Sequence, residues 1–268
     1  SAEAVALAKS EMISSLSDGA VAVLGQYDKF TIDMKSLHNG KTITFGETTS
    51  ADVRAADIEI REGRPHFDLV TPAGRAAVGL RIAGIHQVAN ALAAAAIATN
   101  LDISIDVIAG ALSTAELHSK WRMEIHELDG LVLINDAYNS SPESAEAALR
   151  TLVLFAQERG GQSWAFLGKM HELGASSPQR HADLGTLASE LGIDHLVCIN
   201  ADEYAAEIPP DSQISVHKLA SFEQAKELVD EMNQGDVLLV KASRAEKFEL
   251  LADLIASTWS ERTTGGES

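Results

Sequence analysis

Cysteine is almost absent from the 268-residue sequence, in which Cys198 is the only one. It lies in the apolar run at residues 195–199, where a small buried side chain is more common than a reactive thiol. A single thiol excludes an intrachain disulfide, and a chain without disulfides suits a reducing compartment. We therefore expect a cytoplasmic protein.

Basic residues and long apolar runs are also scarce. The longest apolar stretch, residues 91–98, is far shorter than the ~20 residues that a membrane-spanning helix needs, so we expect no membrane insertion. Lys and Arg number 21 against 39 Asp and Glu, which gives a formal net charge of -18. Because nucleic-acid binding depends on clustered cations, nucleic acid is excluded as a partner, whereas a small anion can still bind in a local positive pocket.

A phosphate-binding loop of the form G-x-x-x-x-G-K-[ST] is missing from the sequence. Gly40-Lys41-Thr42 ends like such a loop, but Lys35 occupies the position where the first glycine would stand. Asn39-Gly40 between extended segments predicts a tight hairpin turn instead, because both residue types tolerate positive φ.

The residues that are present predict a folded α/β protein of two units. The composition, with 46% hydrophobic and 22% charged residues, is ordinary for a globular chain. The first unit, residues 1–114, has helical patterns at 2–16, 84–99 and 104–112, and strand patterns at 20–24, 42–45, 53–60 and 66–70.

Strands and helices alternate in the second unit, residues 115–262. The strands are predicted at 131–134, 164–167, 195–199, 214–216 and 237–240, and the helices at 142–157, 179–191, 201–206, 222–232 and 247–258. This alternation predicts a Rossmann-like domain with a mostly parallel sheet, and small polar residues predict a flexible tail at 263–268.

Polar clusters follow three of the predicted strands, and ligands bind at the carboxyl ends of parallel strands. Their candidate binding side chains are Asp136, Tyr138 and Asn139, then Lys169 and Glu172, and finally Lys241, Ser243 and Arg244. An alternative for the first cluster is that Ser141 or Asn139 merely caps the helix that starts at Pro142. Asp136 and Tyr138 exceed what capping requires, so we predict a binding site.

Four motifs resemble the Mur ligase family of peptidoglycan synthesis. Residues 84–95 resemble its Gly-x-His-Asn-x-x-Asn-Ala-Leu-Ala-Ala helix, with Gln87 replacing the first Asn. The Asp-x-Tyr-Asn-x-x-Pro run at 136–142, preceded by Arg122, resembles another, although Ser140-Ser141 replaces its usual second Asn. Residues 168–174 and 240–244 resemble the Gly-Asp-Met-x-Glu-Leu-Gly loop and the Val-Lys-Gly-Ser-Arg segment of the class that adds D-alanyl-D-alanine, with Lys169 and Ala242 as departures.

The resemblance implies an ADP-forming peptide ligase with UDP-N-acetylmuramoyl-tripeptide and D-alanyl-D-alanine as substrates, and a monomer. Residues 1–114 would be the remainder of its central ATP-binding domain. The implied ATP-binding residues are Asn90, Arg122, Asp136, Tyr138 and Asn139, and the implied substrate-binding residues are Lys169, Glu172, Lys241, Ser243 and Arg244. Residues 8–11 resemble the segment whose lysine is carbamylated, which would make Lys9 a ligand of Mg²⁺.

Two other functions remain open. A related ligase, adding another amino acid or resembling folylpolyglutamate synthase, would share Asn90, Arg122 and Asp136, but residues 172–174 favour the D-alanyl-D-alanine class. A non-catalytic nucleotide-binding module would explain the missing phosphate loop. For the same reason we expect this chain to be the carboxy-terminal part of an enzyme, to show no turnover by itself and to hold no catalytic residue of its own.

Overall fold

A computed structural model describes residues 2–61, 63–116 and 120–265, and the chain divides into two compact units, Ser1–Glu116 and Leu117–Ser268. Each unit has its own sheet and its own hydrophobic core. The predicted α/β fold with a mostly parallel second sheet is confirmed.

The first unit places helices on a five-stranded mixed sheet of order β1-β2-β3-β4-β5. Its strands are β1 (Val21–Gly25), β2 (Lys41–Gly46), β3 (Val53–Arg61), β4 (Arg64–Thr71) and β5 (Gly74–Gly79), and its helices are α1 (Ala2–Ser14), α2 (Lys29–Asp33), α3 (Gln87–Asn100) and α4 (Ile105–Thr114). Strands β1 to β3 are parallel, whereas β3 to β5 are antiparallel. The alanine-rich α3 buries Val88, Leu92 and Ala95 completely, since small side chains let a helix lie close to a sheet.

The prediction of a hairpin at Asn39-Gly40 is wrong. β1 and β2 are parallel, and the connection between them carries α2 and a 3-10 helix, Met34–Leu37. Asp28 begins α2 by accepting a hydrogen bond from the Thr31 N–H at 2.8 Å. Gly40 allows a close approach rather than a turn, because a Cβ there would lie 2.9 Å from the backbone carbonyl oxygen of Ala20.

The second unit has a six-stranded sheet of order β10-β9-β8-β11-β7-β6, in which only β6 is antiparallel to its neighbour among the described strands. Its strands are β6 (Glu124–Leu128), β7 (Leu131–Asp136), β8 (Ser163–Leu167), β9 (His195–Ile199), β10 (Ser215–Leu219) and β11 (Val237–Lys241). All five residues of β8 and of β11 are buried. Burial on both faces explains why these strands read as continuous apolar runs.

In the described part of this unit the α-helices are α5 (Pro142–Arg159), α6 (Ser177–Glu190), α7 (Ala225–Val229) and α8 (Glu249–Gly265). The helix predicted at 201–206 is a 3-10 helix, Asp202–Ala205, and the one predicted at 222–232 is a 3-10 turn followed by the short α7. α8 continues through residues 263–265, which the sequence assigned to a tail, and residues 266–268 lie outside the described residues.

In the part of the chain that the structure describes, no helix combines the length and the apolar character needed to cross a membrane.

Candidate functional site

Three neighbouring parallel strands, β8, β11 and β7, end at one edge of the second sheet. Lys241 at the end of β11 is in register with Asp136 of β7 on one side and with Leu167 of β8 on the other. The polar segments that follow these strands therefore lie side by side, which confirms that the three predicted clusters share one edge. We call this the binding edge.

A buried ion pair lies at the centre of the binding edge. Nζ of Lys241 donates to Oδ2 of Asp136 at 2.5 Å and to the carbonyl oxygen of Asn139 at 2.9 Å. The Lys241 side chain is 1% exposed and that of Asp136 is 13% exposed. Burial of an ammonium group is costly unless it is paired and hydrogen-bonded, and these two partners meet that requirement. Lys241 therefore joins two strand ends and does not present its charge to solvent.

Asp136 also fixes the loop that carries Arg122. Its Oδ1 accepts a hydrogen bond from the Met123 N–H at 3.1 Å, and the carbonyl oxygen of Trp121 accepts one from the Tyr138 N–H at 2.9 Å. The guanidinium carbon of Arg122 lies 4.0 Å from the centre of the Tyr138 ring. Arg122 and Tyr138 are both exposed, so they form a stacked, solvent-facing pair above the buried one.

Ser243 connects the loop after β8 with the ends of β11 and β7. Its N–H donates to the carbonyl oxygen of Lys169, and its hydroxyl accepts from the His171 N–H at 2.9 Å. The same hydroxyl donates to the carbonyl oxygen of Ser140 at 3.4 Å. Ser243 is buried, so like Lys241 it connects the strand ends and loops of the binding edge without facing solvent.

Arg244 is presented at the surface by two side chains that the sequence did not single out. Its guanidinium carbon lies 4.2 Å from the centre of the Trp121 ring, and its Nη1 is 2.6 Å from Oε1 of Glu249. The Arg244 side chain is 45% exposed, whereas that of Glu249 is 11% exposed. Trp121 directly precedes Arg122, and that adjacency is the only sequence signal that could have identified it.

Two buried side chains, those of Tyr204 and His181, hydrogen-bond to the backbone of the loop after β8. The hydroxyl of Tyr204 donates to the carbonyl oxygen of Gly168 at 3.0 Å, and burial raises the pKa of this tyrosine far above its usual range. His181 accepts from the Met170 N–H through Nε2 and donates to the Ser177 carbonyl through Nδ1. His181 is therefore a buried structural histidine.

The charged side chains of this loop face solvent. Lys169 and Glu172 are both exposed, and Glu172 has a φ of 65°. In the cluster that follows β7, Ser141 caps α5 through a capping box with Ser144. The capping interpretation is therefore correct for Ser141, while Asp136 and Tyr138 take no part in that cap.

Two predicted site residues belong to the first unit. Asn90 is exposed on α3 and donates through Nδ2 to Oε1 of Gln87 at 3.0 Å. Lys9 is exposed on α1. The pKa of Asp28 is lowered, mainly by its hydrogen bonds from Thr31 and to a smaller extent by the charge of Lys9.

The described residues contain no group of three His, Cys, Asp or Glu side chains that could hold a metal ion. A carbamate on Lys9 would add hard oxygen atoms near Asp28, which suits Mg²⁺ in kind. It would give only part of a coordination sphere.

Comparison with known proteins accounts for both units. Residues 1–98 match the Mur ligase middle domain, and residues 121–244 match the glutamate ligase domain of Mur ligases. The UDP-N-acetylmuramoyl-tripeptide--D-alanyl-D-alanine ligase of Mycobacterium tuberculosis is 31% identical over 281 residues, which cover 96% of this chain and 55% of that protein. The corresponding Escherichia coli ligase is 29% identical over 91% of this chain and 54% of its own length.

A solved structure agrees with these relatives. Crystal structure I of MurF from Acinetobacter baumannii matches with a TM-score of 0.84 at 29% identity, over 95% of this chain and 55% of that one. The chain thus spans about half the length of the relatives it matches. On the two matched domains and these relatives, the chain belongs to the Mur ligase family.

Proposed function

We propose that this chain serves the ATP-dependent joining of D-alanyl-D-alanine to UDP-N-acetylmuramoyl-tripeptide, with the binding edge as part of its nucleotide site. The observation that carries the proposal is that Asp136 and Arg122 are joined through the Met123 N–H at the edge where β7, β8 and β11 end. In parallel sheets ligands bind at such edges. The substrates in this proposal are those that the names of the Mycobacterium tuberculosis and Escherichia coli relatives state.

The reaction requires charge to be held in place more than it requires a nucleophile from the protein. ATP would phosphorylate the terminal carboxylate of the tripeptide, and the amine of D-alanyl-D-alanine would attack the acyl phosphate, with ADP and phosphate as products. Arg122 is exposed and always cationic, so it can hold a phosphate. Asp136 retains a partly exposed carboxylate that can accept from ribose hydroxyls. The exposed amide of Asn90, in the first unit, can both donate to and accept from an adenine base.

The dipeptide would meet the exposed charges at the same edge. Arg244 offers a guanidinium for the terminal carboxylate of D-alanyl-D-alanine, and Glu172 offers a carboxylate for its ammonium group. Lys169 supplies a second exposed cation. We assign Lys241 and Ser243 to support of the loops, because both are buried.

Lys9 would contribute to a Mg²⁺ site if it is carbamylated. The bound ion would neutralise charge on the phosphates during transfer. Nuclear magnetic resonance with isotopically labelled bicarbonate tests this point, because a carbamate carbon gives a distinct signal that Lys9→Gln would abolish. A signal that persists in Lys9→Gln would remove Lys9 from the site.

Titration of the chain with ADP, followed by amide resonances, tests the nucleotide site. We expect shifts at Met123, Tyr138 and their neighbours, and a clear loss of affinity in Arg122→Ala. The matched control is Arg150→Ala, since Arg150 lies on α5 and, among the described residues, forms its ion pair with Glu146 at the surface. The proposal fails if the shifts map away from the binding edge or if the two variants behave alike.

The same method tests the dipeptide. D-alanyl-D-alanine should shift resonances around Lys169, Glu172 and Arg244, and L-alanyl-L-alanine should have a smaller effect. Equal shifts from both dipeptides, or shifts elsewhere, would contradict the assignment.

A nucleotide-binding role without turnover is the second candidate, and the same edge of the second sheet would carry it. With ATP and both substrates, we expect the chain alone to release no phosphate, because nothing in its sequence matches the loop that cradles the β- and γ-phosphates. Turnover by the chain alone would refute that expectation.

We also propose that the protein is cytoplasmic, because its single cysteine, Cys198, is a buried free thiol that suits a reducing compartment. That the protein is a monomer stays a prediction, which light scattering would test.

A further inference from the structure

We propose that Lys241 is a positioning residue of the nucleotide site: it holds Asp136, and Asp136 holds the loop that presents Arg122. The inference rests on the proposed function and deepens it, because it assigns a task to a lysine that does not reach solvent. The contacts run from Lys241 to Asp136, from Asp136 to Met123, and from the backbone around Arg122 to Tyr138.

The burial of Lys241 requires an explanation other than stability. Its side chain is 1% exposed, and two hydrogen bonds satisfy its ammonium group. A buried ion pair is often no more stabilising than a pair of apolar side chains of the same volume, so stability alone does not account for a lysine here. What a methionine would not provide is a fixed direction for the Asp136 carboxylate.

That direction matters because the Arg122 loop is strained. Trp121 and Met123, on either side of Arg122, have φ values of 61° and 49°. Residues with a side chain seldom adopt this left-handed conformation, and it persists only where the surroundings hold it. The Met123 N–H is held by Oδ1 of Asp136, and the Trp121 carbonyl by the Tyr138 N–H. Release of Asp136 would therefore relax the backbone that places the Arg122 guanidinium.

Each carboxylate oxygen of Asp136 accepts a hydrogen bond from a different partner. Oδ2 faces Lys241 and Oδ1 faces the Met123 N–H, so the carboxylate cannot rotate without breaking one of the two hydrogen bonds. A ribose hydroxyl would meet an acceptor that is already oriented. Preorganisation of this kind lowers the cost of binding, since nothing must be ordered when the nucleotide arrives.

The test compares Lys241→Met with Leu238→Ala, a cavity-forming change at a fully buried position in the same strand β11. Both variants should lose stability, but only Lys241→Met should act on the Arg122 loop. We expect ADP to bind the Lys241→Met variant about 10- to 100-fold more weakly than the unaltered chain, because a binding group is misplaced. Hydrogen exchange at the Met123 amide should accelerate relative to the Ala165 amide of β8, and the upfield shift that the Tyr138 ring imposes on Arg122 side-chain protons should disappear.

Two results would overturn the proposal. One is a Lys241→Met variant that keeps normal ADP affinity and normal Met123 exchange. The other is a loss of affinity that Leu238→Ala shares in proportion to its loss of stability, which would make Lys241 merely structural. If ADP fails to bind the unaltered chain at this edge, the proposed function fails, and Met123 exchange still decides whether Lys241 holds the loop.

Discussion

The close contact between α6 and the 3-10 helix Asp202–Ala205 makes Gly185 a sensitive position. A Cβ placed on Gly185 would lie 1.6 Å from the carbonyl oxygen of Tyr204, which is backbone and cannot rotate away. Tyr204 is fully buried, and its hydroxyl holds the Gly168 carbonyl at the start of the loop after β8. Gly185→Ala must therefore push the two helices apart and disturb the binding edge.

The size of the effect follows from opposing contributions. Alanine is the better helix former by about 1 kcal/mol, which favours the variant. Overpacking of a filled interior costs roughly 1–3 kcal/mol, and loss of the Tyr204 hydrogen bond costs about 1 kcal/mol more. We expect a net loss of about 1–3 kcal/mol in the free energy of unfolding, or roughly 2–12 °C in melting temperature for a unit of this size.

Gly110→Ala is the matched control. Gly110 lies in the interior of α4, is exposed, and has no atom within 4 Å of a Cβ built there. Alanine at this position should raise stability by up to about 1 kcal/mol. Calorimetry of the three proteins gives the comparison, and faster amide exchange at residues 168–170 should accompany Gly185→Ala alone. Equal stabilisation by both substitutions would show that the helices do not pack as closely as described.

Three further changes should be measurable by urea unfolding. Asp236→Asn should cost about 1.5–3 kcal/mol, because the buried carboxylate accepts hydrogen bonds from two backbone N–H groups and from the Trp164 indole, and an amide would turn a donor towards one of them; a neutral result would contradict these contacts. The pKa of His195 is lowered, first by burial and then by the charge of His217. As the pH falls below 6.5, the ordinary pKa of histidine, the unfolded chain therefore binds a proton before the folded one does, and the free energy of unfolding should decrease. His195→Gln should lessen that decrease, and an unchanged pH profile would refute it. Ser141→Ala should cost about 1 kcal/mol through loss of the α5 cap, with no loss expected if the capping box is dispensable.

The helices and strands that the sequence predicts well are those whose residue pattern is compatible with only one type of secondary structure. β8 and β11 are apolar at nearly every position because both faces are buried, and the helices between strands show regular periodicity. β5 was missed because its glycines and alanines have low strand propensity. β6 was missed because none of its residues is buried. The hairpin prediction requires an extended segment before Asn39, but two short helical turns occupy it.

The binding edge was predictable in its composition but not in its internal contacts. Strand–helix alternation places polar segments at carboxyl ends, so the clusters at Asp136 and Lys241 could be found from sequence. The alternation does not tell which strands are neighbours, and therefore it could not show that Lys241 is buried against Asp136. The left-handed conformation of Trp121 also leaves no sequence signal, because neither its residue type nor its neighbours require it.

The position of β11 has a consequence for the newly made protein. Although it follows the other described strands in sequence, it lies between β7 and β8, which would otherwise have no common neighbour. While the ribosome still holds residues 237–241, those two strands each have an open, apolar side that invites pairing with other nascent polypeptides. Insertion of β11 closes both sides at once and brings Lys241 to Asp136, so the ion pair forms only after this strand is in place.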